Sequence, residues 1–557
     1  MGDIAQNPEK QLRFAGEETA MERVEMVTYE AARDNFAWKI PEDFNYGRDV
    51  VDAWAEDPAR MALIWVNGAG EERRFTYADI RDLTNRLANY LTAKGVKKGD
   101  RVLIMLPRVP EWQIAMIGCN KIGAVPIPCV TMLTAKDIGY RLEHSGAVAA
   151  VTTRHEVGKF PTDLPVRLSV GEVEGWDSFE AEMARHSPDY TAAGMAADDP
   201  AIMFYTSGST GMPKGVLHGS RALFAWRVSA WYWLSLTETD VMWCTADTGW
   251  SKAGTSILYG PWSCGATVLF YDGPFDPETR LDLLEKHRVT VYCAAATEIR
   301  QLVQLDTAGR DLSALRLSVS AGETVNPEIV RAWSAMSGAP LLDGYGQTET
   351  LMTVLNYAPL PVKPGSMGKA LPGTEAAILS EAGERAAAGE PGQLAIRCPH
   401  PQIMLGYWNN PAKTAECYLR AADGTNWFLT GDTASMDEDG YLFFAGRDDD
   451  VINSSGYRIG PMEVENALME HPAVLECAAV ASPDETRGEV VKAFVILKPG
   501  IIPSKALAKE LQDFSKALTA PYKYPRRIAF VQDLPKTNTG KIQRRVLKLR
   551  EFAAAST

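Results

Sequence analysis

A chain of 557 residues with 46% hydrophobic and 23% charged side chains is too long for one compact core and has an ordinary globular composition. Its formal net charge of −14 argues against nucleic acid and anionic membranes as partners, and no run of about 18 uncharged apolar residues is present to span a bilayer. Eight cysteines without a CxxC pair read as small core residues of a reducing, cytoplasmic protein, and seven histidines without an HExxH offer no zinc site.

The opening stretch MGDIAQNPEKQLRFAGEE has no apolar h-region and carries acids early, unlike a secretory or transit peptide, and Gln6 misses the myristoylation pattern. From Asp100 the segments RVLIML, PEWQIAMIGCNKIG, AVPIPC, a helical stretch near 134–144 and AVAAVTT alternate short apolar strands with helices. That βαβ rhythm predicts a parallel sheet covered on both faces. Ala201–Tyr205 reads as a buried strand that runs into YTSGSTGMPKG (205–215). There Gly208, Gly211 and Gly215 allow tight turning with converging N–H groups, Thr206, Ser207, Ser209 and Thr210 add hydroxyls, and Lys214 adds charge. The segment therefore predicts a phosphate cradle, although it is not a Walker A loop, which needs Gly-Lys-Ser/Thr.

The aromatic stretch WRVSAWYWL (226–234) has helical spacing and reads mainly as core. A second α/β round follows in ATVLFY (266–271), TRLDLLEKHRV, VYCAAA and LRLSVSAGE (315–323). After about Leu355, dense Pro and Gly with short strands such as QLAIRC predict a β-rich subdomain. Beyond Gly446 a smaller unit is expected, with a helix opened by Pro461 and ended before Pro472, then strands at AVLECAAV and EVVKAFVIL.

Four further motifs stand in order behind the phosphate loop: GYGQTE (344–349), LTGD (429–432), GRDDDVINSSGYRIG (446–460) and PKTNTGKIQR (535–544). Together they resemble the adenylate-forming, AMP-binding superfamily over about residues 50–545, most closely its AMP-forming medium-chain acyl-CoA synthetases. The resemblance implies an α/β protein. A large N-terminal domain (1–446) of two α/β lobes plus a β-rich subdomain would precede a hinge (447–450) and a small mobile α+β C-terminal domain (451–557).

The same resemblance implies roles for individual residues. Thr206, Ser207, Gly208, Ser209, Thr210, Gly211 and Lys214 would hold the ATP phosphates. Gly322, Glu323, Gly344, Tyr345, Gly346 and Gln347 would line the nucleotide site, with Tyr345 flanking the adenine. Thr348 would touch the α-phosphate, Glu349 would hold Mg2+, Asp432 would accept from the ribose hydroxyls, and Arg447 would meet ribose or phosphate. Lys541 would neutralise charge as the carboxylate attacks phosphorus, with Thr206 and Glu349 as its catalytic companions. Asp449 would be the hinge residue. Ser455, Gly456, Tyr457, Arg458, Arg487 and Lys516 would receive CoA.

Trp250 and Gly346 would border the acyl pocket, which the small Gly346 would leave deep. The implied reaction is ATP-dependent activation of a medium-chain or aromatic acid to an acyl-adenylate, then transfer to CoA with release of AMP and pyrophosphate. An aryl- or benzoate-type CoA ligase and a carrier-protein-loading adenylating enzyme are the alternatives, ahead of a non-enzymatic scaffold.

Overall fold

The computed structural model describes residues 25–206, 212–322, 327–380, 382–447, 457–484, 488–519, 523–536 and 542–555, together with 21, 23, 325, 450 and 452–454. The first lobe is a parallel five-stranded sheet of Val125–Pro128, Arg101–Met105, Ala149–Thr153, Val166–Val170 and Asp177–Ser178, in that order. Its apolar strands are interleaved with helices as the βαβ rhythm requires. Thr134 and Asp137 close a reciprocal capping box that starts the helix Ala135–Ser145, and Pro110 occupies the first turn of Pro110–Ile122, where its missing N–H costs nothing.

The second lobe is a nine-stranded sheet. Its parallel centre runs through Leu341–Gln347, Leu317–Ala321, Val291–Cys293, Val241–Cys244, Thr267–Asp272 and Met61–Asn67. Met61–Asn67 enters this sheet from far upstream, pairing with Thr267–Asp272 through Leu63–Val268 and Trp65–Phe270. A continuous core of buried aromatic and aliphatic side chains joins the two lobes, including Trp112, Trp226, Trp233 and Trp262. The stretch 226–234 thus serves mostly as core, as its spacing suggested.

A five-stranded antiparallel sheet follows, built on Gly392–Cys398 and the long strand Asn426–Met436, with Leu442–Arg447 at its edge. The small unit has its own five-stranded sheet centred on Gly488–Leu497 and Val474–Asp484, covered by Pro461–Met469, Lys505–Leu518 and Arg544–Ala555. Pro461 opens its helix as expected. The two units meet tightly beside it: a Cβ on Gly460 would lie 2.2 Å from the Ala445 carbonyl oxygen, so glycine alone fits there.

A three-stranded sheet, Gly406–Tyr407, Lys214–Gly219 and Pro200–Thr206, completes the large domain and carries the phosphate motif. Among the described residues no helix is long and apolar enough to cross a membrane. All eight cysteines are unbonded and six are buried, in keeping with their reading as core residues.

Candidate active site

The strands Pro200–Thr206 and Lys214–Gly219, which flank the Gly/Ser/Thr segment, pair antiparallel with Thr206 opposite Lys214. Ser207, Gly208, Ser209, Thr210 and Gly211 lie outside the described residues. Both flanks of the segment are pinned to the helix Ala135–Ser145. The Tyr140 hydroxyl donates to the Pro213 carbonyl (2.8 Å), and the Tyr205 hydroxyl shares a 2.8 Å hydrogen bond with His144 Nδ1. Sequence patterns gave no sign of either residue, because the contacts join segments more than sixty positions apart.

GYGQTE lies on a second hairpin. Leu341–Gln347 and Leu351–Leu355 pair with Gln347 opposite Leu351, which leaves Thr348, Glu349 and Thr350 at the tip. Leu351 sits at φ 52°, a left-handed conformation that costs a β-carbon-bearing residue roughly 1–2 kcal/mol. The turn is therefore held by its surroundings. His218, from the strand leaving the phosphate loop, donates Nε2–H to the Thr348 carbonyl (2.7 Å), and Ser251 Oγ lies 3.4 Å from Thr348 Oγ1.

A buried polar corner, where Asp432 is expected to take the ribose, forms where this hairpin meets the antiparallel sheet. Asp432 is buried, and its Oδ2 accepts from the Tyr345 hydroxyl (2.6 Å) and Gln347 Nε2 (2.7 Å). Arg447 stands opposite Asp432 in the strand register, with Nε 3.5 Å from Oδ1. Burial, reinforced by the Asp432 charge, holds the Tyr345 phenol well above its ordinary range, so it stays a donor. Four of the residues expected to bind nucleotide are thus brought into direct contact.

Glu349 accepts from the Tyr407 hydroxyl at 2.8 Å, and Lys214 Nζ lies 4.4 Å from the Tyr407 ring centre. Gly322, at φ 95°, ends the strand Leu317–Ala321, and Lys252 Nζ reaches the Ala321 carbonyl at 3.3 Å. Glu323 lies outside the described residues. Gly344 is enclosed by Leu355, Met352 and Trp233.

Trp250 is half-buried and directly precedes Ser251, the residue whose Oγ approaches Thr348. At Gly346 the geometry changes the argument for a deep pocket. A Cβ there would lie 2.0 Å from the Leu351 carbonyl oxygen, so the glycine permits a close strand approach. Enlarging this residue tests that approach before it tests acyl length.

Asp449 of the expected hinge and Ser455, Gly456, Arg487 and Lys541 of the small domain lie outside the described residues. Tyr457 and Arg458 lie on the strand Tyr457–Ile459, paired with Ile452–Ser454. On either side of Lys541, Lys536 and Ile542 pair in a bridge, and beyond it Arg544 donates to Glu465 at 2.5 and 2.8 Å. Lys516 Nζ and the Arg526 guanidinium lie 5.4 and 4.9 Å from the Tyr524 ring, and Arg526 also donates to the Tyr524 hydroxyl. This aromatic seat between two cations joins Lys516 to residues that sequence reasoning had not selected.

Burial pushes the pKa of His218 down to about 4 and that of His400 down to about 3. Both are neutral in the folded chain through the mildly acidic range, whereas the unfolded chain takes up a proton at each below roughly pH 6.5. The stability this gives is complete above that pH and is lost as pH falls toward about 4 for His218 and about 3 for His400, by up to about 1.4 kcal/mol per pH unit for each histidine. The melting temperature is expected to fall from pH 7 to pH 5, and His218→Gln to make that fall shallower; an unchanged slope in the variant would count against a neutral, buried His218.

The AMP-binding enzyme family model matches residues 50–408, and that of the AMP-binding enzyme C-terminal domain matches residues 463–541. Acyl-coenzyme A synthetase ACSM3, mitochondrial, of Pongo abelii is 41% identical over 546 residues, covering 94% of this chain and 92% of that protein. Among solved structures, Brucella canis acyl-CoA synthetase superposes with a TM-score of 0.72 at 35% identity over 95% of this chain and 99% of its own. The anthranilate CoA ligase AuaEII in complex with anthranoyl-AMP reaches 0.83 at 30% identity over 93% of this chain and 99% of its own. With both family models in order along its length and a relative this similar over nearly all of it, the chain belongs to the AMP-binding enzymes, among the acyl-CoA synthetases.

Proposed function

We propose that the protein activates a medium-chain or aromatic carboxylic acid with ATP and then transfers the acyl group to CoA. The observation that carries this reading is the convergence of Tyr345, Gln347 and Arg447 on Asp432, with Lys214 and Glu349 brought together nearby around Tyr407. One end of that arrangement suits ribose hydroxyls, and the other suits phosphate.

The first step joins the carboxylate oxygen to the α-phosphorus and expels pyrophosphate. Two anions must approach in line, so the barrier is mainly repulsion and orientation. Lys214 and the loop hydroxyls that begin at Thr206 would hold the phosphates, Thr348 would orient the α-phosphate, and Lys541 would supply charge at the reacting centre. In the second step the CoA thiol attacks the acyl carbonyl and AMP leaves. Ser455, Gly456, Tyr457, Arg458, Arg487 and Lys516 would receive CoA, with Tyr524 and Arg526 beside Lys516.

Magnesium fits this donor set. Glu349 offers one hard carboxylate at the phosphate end, and among the described residues no group of three ligating side chains forms a resident site. An ion carried in on the triphosphate that keeps most of its water needs no more. When bound it would offset phosphate charge.

The residues 447–450 are read as a hinge on which residues 451–557 turn between the two steps, with Asp449 as pivot. Asp449→Pro is expected to slow thioester formation at least tenfold more than adenylation, measured as separate half-reactions; equal losses would count against the hinge. The unpaired cysteines suit a reducing compartment, of which the cytoplasm is one. The acid class rests on the likeness to acyl-CoA synthetases, while the likeness to an anthranilate ligase favours the aromatic alternative.

The test is AMP release with acetate, butyrate, hexanoate, octanoate, benzoate and phenylalanine, with and without CoA. CoA-dependent release peaking at hexanoate, octanoate or benzoate is expected. Adenylation without thioester formation would point to a carrier-protein acceptor, and silence on every acid would point to a scaffold.

A further inference from the structure

We propose that Tyr407 is a positioning residue that holds Lys214 and Glu349 apart, so that one charge stays available to phosphate and the other to metal. The inference rests on the nucleotide-site reading above. Tyr407 belongs to neither motif, yet it touches a residue of each. Its hydroxyl donates to Glu349 Oε1 at 2.8 Å, and its ring face receives Lys214 Nζ at 4.4 Å.

Two unlike charges brought to one corner tend to pair, and a paired lysine and glutamate would cancel what each must offer a triphosphate. Here, among the described residues, Lys214 and Glu349 form no ion pair, and the Tyr407 side chain contacts both. The lysine rests on the π face, which attracts a cation without consuming its hydrogen-bond donors. The carboxylate takes one neutral donor on Oε1, and among the described residues no hydrogen bond is made to Oε2.

The backbone gives this side chain a fixed base. Tyr407 pairs with Val216 on the strand leaving the phosphate loop, and its N–H donates to Thr414 Oγ1 at 2.9 Å. Trp408 N–H donates to the Gly215 carbonyl (2.7 Å), and Met404 N–H donates to the Glu349 carbonyl (2.9 Å). One short segment is therefore stitched both to the phosphate hairpin and to the turn that bears Glu349. Such outer contacts to a metal-binding carboxylate commonly matter tenfold or more for metal affinity.

Two binding constants separate the two halves of the role: that of ATP without metal, by calorimetry, which reports Lys214, and that of Mn2+ for the enzyme–ATP complex, by electron paramagnetic resonance, which reports Glu349. Tyr407→Phe keeps the ring and is expected to weaken Mn2+ by about tenfold while leaving metal-free ATP binding within about twofold. Tyr407→Leu is expected to weaken both, and adding Lys214→Ala to Tyr407→Leu should cost little more ATP affinity because the lysine is already paired. Wild-type Mn2+ binding in Tyr407→Phe would overturn the proposal, and this variant decides it even where Tyr407→Leu does not fold. Glu349→Gln is the control: if it too leaves Mn2+ binding unchanged, the metal-site reading fails and takes this inference with it, whereas a loss in Glu349→Gln alone removes only Tyr407.

Discussion

Asp432→Ala is expected to lower kcat/KM for ATP by roughly 10²–10⁴-fold, the worth of two hydrogen bonds to a charged acceptor at about 1.5–3 kcal/mol each. The carboxylate is buried and already organised by Tyr345 and Gln347, so little reorganisation is needed when a ribose arrives. Its removal also leaves the Tyr345 hydroxyl and one Gln347 N–H without their acceptor, which adds a stability cost of about 1–3 kcal/mol. Steady-state kinetics with varied ATP, together with a melting curve, distinguish the two effects. The variant should be folded at 25 °C and saturable only at much higher ATP. An unchanged KM and kcat would mean that the nucleotide binds elsewhere. Asp432→Asn, which keeps an acceptor but not the charge, should fall between the two.

Lys541→Ala is expected to slow adenylation by at least about 10²–10³-fold, the usual effect of removing one preorganised group that stabilises transition-state charge. Thioester formation from synthetic acyl-adenylate and CoA should stay within a few-fold of wild type, because no phosphorus is attacked in that step. Pyrophosphate release measures the first half-reaction, and thioester formation from the synthetic intermediate measures the second. Equal losses in both would make Lys541 a structural rather than a catalytic residue.

Local rules carried much of the architecture. Apolar strands alternating with helices gave the two α/β lobes, and Pro461 marked a helix start because proline costs nothing in a first turn. The phosphate motif could be placed on a strand–turn unit because strand residues precede the glycines, and Thr206 does face Lys214 across a hairpin. The supporting contacts were hidden for a common reason. Tyr140, His144, His218 and Tyr407 act across segments 58–130 positions apart in the chain, and a lone tyrosine or histidine has no periodicity to betray its partner. Gly346 shows a second limit of sequence reading. Its missing side chain suggested space, but the Leu351 carbonyl occupies the place where a Cβ would go.

The strand Met61–Asn67 lies in the sheet of the second lobe, against Thr267–Asp272, with about 200 residues between them. At about 5–20 residues per second, a ribosome needs roughly 10–40 s to deliver the partner after the first strand has emerged. Through that interval the early strand has only its hairpin neighbour Glu72–Thr76 on one side, with its apolar residues and its other backbone edge exposed to whatever else can pair with them. The demand for protection during synthesis should therefore fall on the segment around Met61–Asn67, far in the chain from the motifs proposed to do the chemistry.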